Sequence, residues 1–217
     1  LRGGRYYMID SADVPYADGQ IKALCTVLRK LLPEGKCLVA GLGNPSVASD
    51  SLGWKTAGKV LATSQFVENM HSPDGIGNVA VIRTDVGANS GIDSVYHTVF
   101  CAEKINADYI IAIDSLTCGD PDRLCRTIQI TDTGISPGSG IGGSKKQLDR
   151  KTAGIPVIAV GVPTSMEYEN GKDRFFVTRH DIDAETARYS HIISTAINRT
   201  LCPSLSAEDV TMLMNYS

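Results

Sequence analysis

The chain has 217 residues, 42% of them hydrophobic and 21% charged, with 21 glycines and a formal charge of −3. That is enough to bury one substantial core, the composition argues against disorder, and nothing marks off a second domain, so residues 1–217 are read as a single domain. The basic residues are scattered, which excludes the broad positive surface a nucleic acid needs, and no apolar run is long enough to cross a membrane. Leu1-Arg2-Gly3-Gly4 is not a signal peptide, and a start without Met reads as a processed or trimmed chain. The cysteines sit in apolar settings such as Lys36-Cys37-Leu38-Val39 with no C-x-x-C pair, which suggests buried thiols in a reducing cytoplasm.

In chain order, Ile21, Leu24, Val27, Leu28 and Leu31 recur at helical spacing, predicting a helix over Ile21 to Leu32 that Pro33-Glu34-Gly35 stops. Cys37 to Ala40 reads as a buried strand feeding the turn Gly41-Leu42-Gly43-Asn44-Pro45. Ser49-Asp50-Ser51 precedes a helical stretch predicted from Leu52 to Gln65, Val79 to Arg83 is a second strand, and Asp93 to Asn106 a second clear helix. Tyr109 to Ile113 is the most apolar strand and is expected to end on Asp114. Thr127 to Thr131, Pro156 to Val162 and Phe175 to Thr178 are further strands, and Ala184 to Thr200 and Ala207 to Met214 are closing helices. Strands alternating with helices predict an α/β fold in three layers: a largely parallel, twisted sheet with helices on both faces.

Ligands of open α/β sheets bind outside the carboxyl ends of the strands. Asp114 and Asp50 both follow strands, and if those strands are neighbours the two carboxylates face one crevice. A peptide bond can be hydrolysed by such a pair when one acid is ionised and takes a proton from water while the other, protonated, supplies one. Asp50 before a helix also has the sequence of an N-cap; Asp114, directly after five apolar residues, is partly buried by construction and needs partners or a function. Asp85 and Asp132 follow strands too, in Thr-Asp-Val-Gly and Thr-Asp-Thr-Gly, which suit turns.

Gly138-Ser139-Gly140-Ile141-Gly142-Gly143 matches G-x-G-x-x-G, but Pro137 precedes it and the next strand follows too soon for a Rossmann crossover helix. It reads as a loop bordering the crevice, its backbone N–H groups open to a substrate oxygen, or as a wide structural turn. His71, His97, His180 and His191 have no metal-ligand spacing, and no G-x-S-x-G elbow occurs. No metal and no cofactor are expected.

Three segments resemble the germination proteases of spore-forming bacteria, endopeptidases that degrade small acid-soluble spore proteins. They are Gly41-Leu42-Gly43-Asn44 with Asp50-Ser51-Leu52-Gly53, then Ile111-Ala112-Ile113-Asp114-Ser115-Leu116, then Thr127 through Asp132-Thr133-Gly134-Ile135-Ser136-Pro137-Gly138-Ser139-Gly140 to Gly161-Val162-Pro163-Thr164. The resemblance implies an atypical aspartic endopeptidase of the spore core, made as a zymogen, assembled as a homo-oligomer such as a tetramer, and sharing its core with the hydrogenase maturation endopeptidases. It assigns catalysis to Asp50 and Asp114, and Asn44, Ser115, Asp132, Ser139 and Gly140, in the same motifs, are expected to bind substrate or support the pair. Members of that family are longer, with a large segment where only Ser165 to Arg174 stands here. The alternative readings are a scaffold kept without turnover and a protein whose acids hold a metal.

Overall fold

The structure is a computed structural model that describes residues 3–69, 74–138, 146–170 and 173–215. Strand β1 (Tyr6–Asp10) leads into helix α1 (Ala17–Leu31), β2 (Cys37–Gly41), α2 (Leu52–Ala57), α3 (Ser64–Asn69) and β3 (Val79–Arg83). Then come α4 (Gly87–Ser90), α5 (Ser94–Lys104), β4 (Tyr109–Cys118), β5 (Thr127–Thr131), α6 (Arg150–Ala153), β6 (Val157–Asn170), β7 (Asp173–Val177), α7 (Ile182–Leu201) and α8 (Ala207–Asn215). All strands join one sheet in the order β1-β5-β6-β4-β2-β3, with β7 also on β6.

The sheet is mixed rather than largely parallel. The β3, β2, β4 and β6 ladders are parallel, whereas β5 runs against β6 and β1, and β7 against β6. Helices cover both faces as expected, because alternate strand residues are apolar on both sides. Val39 of β2 and Ile111 and Ile113 of β4 pack with Leu24 and Leu28 of α1 and Ile192, Ile193 and Ile197 of α7. Leu38, Ala40, Ile110 and Ala112 face the other way, onto Val95 and Ala102 of α5.

Several boundaries differ from the sequence reading. The helix expected over Leu52 to Gln65 is broken into α2 and α3. Asn198 of α7 takes over the backbone between them, accepting from the Leu61 N–H (3.0 Å) and donating to the Lys59 carbonyl (3.0 Å), so a tertiary partner replaces the intrahelical bonds. β4 does not end on Asp114 but runs on to Cys118, and β6 reaches Asn170, because these polar extensions pair with each other and with β7. β1 was not anticipated; it is a short edge strand with one buried side chain, Ile9. α1 stops at Leu31 because Leu32, preceding Pro33, is held extended (ψ 131°).

Candidate active site

The end of β2, the start of α2 and the middle of β4 are drawn together at glycines. Gly41, Gly43 and Gly53 lie where any Cβ would collide with backbone: with the Gly53 carbonyl at 2.2 Å, the Asp50 carbonyl at 2.1 Å and the Ile113 carbonyl at 2.2 Å, respectively. Gly43 also has φ +107°, open to glycine and costly for other residues. The turn after β2 therefore closes onto the start of α2, and the Asn44 N–H donates to Asp50 Oδ2 (2.9 Å). The Leu42 N–H donates to the Ile113 carbonyl (2.8 Å), tying this turn to the strand that carries Asp114.

Asp114 faces the α5 side with Ile110 and Ala112 and is 3% exposed. Its protein partner is the Ser115 N–H, donated to Oδ1 at 2.9 Å. Burial, and after it the charge of Asp50, push its carboxyl from the usual range up to about 8. Asp50 is half-buried at the end of a 3₁₀ turn, Ala48–Asp50. Burial raises its carboxyl too, opposed by the Asn44 N–H and helped by the charge of Asp85.

Both acids line one cleft of about 870 Å³. Asn44 and Ser115 line it as well, and so does Asp85, whose Oδ1 accepts from the Val86 N–H (2.7 Å) and from Asn89 Nδ2 (3.1 Å). Asp85 is thus the turn-former its sequence suggested and also a third carboxylate of the cleft. Asp132 is not among the lining residues: it accepts from Arg5, at the backbone N–H (2.7 Å) and at Nε (2.8 Å), at the far edge of the sheet. Ser139 and Gly140, like His71, lie outside the described residues; of the glycine-rich stretch only Gly138 is described, and it lines the cleft.

Apolar walls come from Val47, Val86, Val95, Leu116, Ile135 and Phe176. Leu116 lies flat on Gly161, whose Cβ would meet its side chain at 2.7 Å. Gln129 reaches the cleft because it is paired with Gly161, which on its other side is paired with Asp114. Gln129, Leu116 and Phe176 were not singled out from sequence; their place depends on strand order, which local pattern does not carry. Among the described residues no three His, Cys, Asp or Glu side chains gather as a metal site, and no histidine lines the cleft.

The family model for the germination protease matches residues 17–170. A germination protease of Clostridium perfringens is 31% identical over 267 aligned positions, covering 98% of this chain and 82% of the relative, and one of Clostridium tetani is 32% identical with 98% and 83% coverage. The germination protease of Oceanobacillus iheyensis is 41% identical over 150 positions, covering 67% of this chain but 41% of its own length. Among solved structures, the [NiFe] hydrogenase maturation protease HycI from Thermococcus kodakarensis KOD1 aligns with 79% of this chain and 99% of its own, at 13% identity and a TM-score of 0.47. The clostridial alignments run over more positions than this chain has residues, so those relatives carry segments missing here. With a family model spanning most of the chain and relatives that match nearly all of it, the protein belongs to the germination protease family of peptidases.

Proposed function

We propose that Asp50 and Asp114 are the catalytic pair of an endopeptidase whose substrates are proteins of the small acid-soluble spore class. The observation that supports this best is the difference in environment between two acids of one cleft. Asp114 is buried, faces a second carboxylate and is pushed up to about 8. Near neutral pH it is a carboxylic acid, able to donate a proton to the scissile carbonyl oxygen or to the departing amine. Asp50 is more exposed and keeps the Asn44 N–H, a bond to its ionised form. It is the group that takes a proton from the attacking water. The charge of Asp50 helps keep the proton on Asp114, so the working state has Asp114 protonated and Asp50 ionised.

Leu116 and Phe176 offer apolar surface beside the pair, where a substrate side chain can be held while its carbonyl is positioned. Asn44 and Ser115 support the carboxylates through their backbone N–H groups, and the Asn44 Oδ1 in turn accepts from the Ser46 N–H (2.9 Å), which holds the turn that presents Asp50. A spore-core location and assembly into a homo-oligomer belong to the same proposal.

The test is cleavage of a purified small acid-soluble spore protein by wild type, Asp50→Asn and Asp114→Asn, followed by mass spectrometry. Each substitution is expected to lower kcat at least about 1,000-fold, in line with the loss of an essential acid or base, with the fold retained by circular dichroism. Cleavage at the wild-type rate by either variant would sink the assignment. No cleavage by wild type of this substrate or of a peptide library would favour a scaffold without turnover.

A further inference from the structure

β4 and β6 run in parallel register from Ile110↔Val157 to Leu116↔Pro163, and then the pairing jumps to Thr117↔Ser165. Thr164 is the extra residue, a bulge in a parallel ladder, where bulges are rare and serve to re-aim a side chain. It is 1% exposed. Its hydroxyl donates to the Ser49 carbonyl at 2.6 Å, and its own carbonyl accepts from the Thr178 hydroxyl at 2.6 Å. Its hydroxyl and its carbonyl are therefore both satisfied outside the ladder.

Ser49 directly precedes Asp50 in the 3₁₀ turn Ala48–Asp50. That turn is short, closed by the Asp50 N–H to the Val47 carbonyl (2.8 Å) and by the Ser51 hydroxyl to the Ala48 carbonyl (2.8 Å). Both bonds are internal to residues 47–51, so they shape the turn without fixing it to the sheet. The Thr164 hydroxyl reaches it from the core strand next to the one carrying Asp114.

We propose that Thr164 is a positioning residue for Asp50: the bulge in β6 aims its hydroxyl at the Ser49 carbonyl and fixes the Asp50 turn relative to Asp114. The inference rests on the catalytic reading above for its kinetic consequence, but not for its geometry. A side chain that fixes a general base affects the chemical step more than substrate binding, since a small displacement of the reacting group is felt in the transition state.

The experiment compares Thr164→Val, which keeps the shape and removes the hydroxyl, with Thr164→Ser, which keeps the hydroxyl. With a small acid-soluble spore protein as substrate, Thr164→Val is expected to lower kcat by about tenfold or more with KM within about twofold, and Thr164→Ser to stay near wild type. Amide hydrogen exchange gives a readout that needs no turnover. The Asn44 N–H, donated to Asp50, should exchange at least about tenfold faster in Thr164→Val, with the amides of β4 and β6 unchanged.

Wild-type kcat together with unchanged Asn44 exchange in Thr164→Val would overturn the proposal. So would an equal loss in Thr164→Ser, which would mark packing rather than the hydroxyl as the cause. If Asp50→Asn and Asp114→Asn both keep turnover, it is the catalytic reading that fails, and the Asn44 exchange still decides the role of Thr164.

Discussion

Asp114 carries a cost that its position explains. An ordinary aspartate titrates near 3.9 in an unfolded chain, whereas burial and the nearby Asp50 hold this one up to about 8 in the folded state. Between those values the folded protein keeps a proton that the unfolded chain has lost, so stability from this site falls as pH rises through the window and levels off above it. Asp114→Asn removes that dependence. The variant should match wild type near about pH 4 and exceed it by a growing margin as pH rises toward about 8, read from urea midpoints at the two pH values. A pH-independent difference between the two proteins would refute the assigned burial cost. The same titration predicts an alkaline limb in the wild-type pH–rate profile near 8, as Asp114 loses the proton it must donate. Sequence alone made Asp114 conspicuous, because an acid after five apolar strand residues has nowhere wet to go. It left Asp50 as an N-cap candidate, and no capping bond from its side chain to α2 exists; the carboxylate instead takes the Asn44 N–H behind it.

The loop between β2 and α2 shows how an element junction builds the site. Gly53 packs α2 against the middle of β4 and the residue that follows β2, since its Cβ would stand 2.2 Å from the Ile113 carbonyl and 2.4 Å from the Leu42 carbonyl. Gly53→Ala must push the helix off the sheet or tear the Leu42 N–H from the Ile113 carbonyl. It is expected to cost on the order of 2–3 kcal/mol and to lower activity further than the stability loss explains, because Asp50 moves with the helix start. Gly58→Ala is the control. Its backbone is helical (φ −65°) and its Cβ would meet a flexible Arg83 nitrogen at 3.3 Å and the Trp54 and Lys55 carbonyls at ordinary contact distances of 3.5 and 3.6 Å, so stability and kcat should stay near wild type. Thermal melts and initial rates on both variants separate the two outcomes. The strands Val79–Arg83 and Thr127–Thr131 were legible to the residue, since β-branched runs bounded by turns have one reading. The split between α2 and α3 was not, because its cause, Asn198, lies on α7, far along the chain.

Across the whole molecule the sheet separates two cores of unequal size. The face under α1 and α7 holds the larger, including Ile192, Ile193 and Ile197, each fully buried. The face under α5 holds the smaller, and Val95, which belongs to it, also lines the cleft. Alternation of strand and helix in the sequence announced the layers, but the antiparallel half of the sheet depends on β1 pairing with β5, a strand far along the chain from it, which no local pattern reveals. Stability and site geometry are thus weighted toward different faces. Ile193→Ala opens a cavity beneath α7 and is expected to cost about 3 kcal/mol, lowering the melting temperature while leaving kcat and KM of the folded enzyme unchanged. Val95→Ala deletes less buried volume and should cost about 1–2 kcal/mol, yet it alters the wall of the cleft and so should raise KM. Melting curves and steady-state kinetics on the two variants read both quantities. A KM change confined to Ile193→Ala would show that the layers are coupled, so that the larger core shapes the cleft through the sheet rather than only holding the sheet in place.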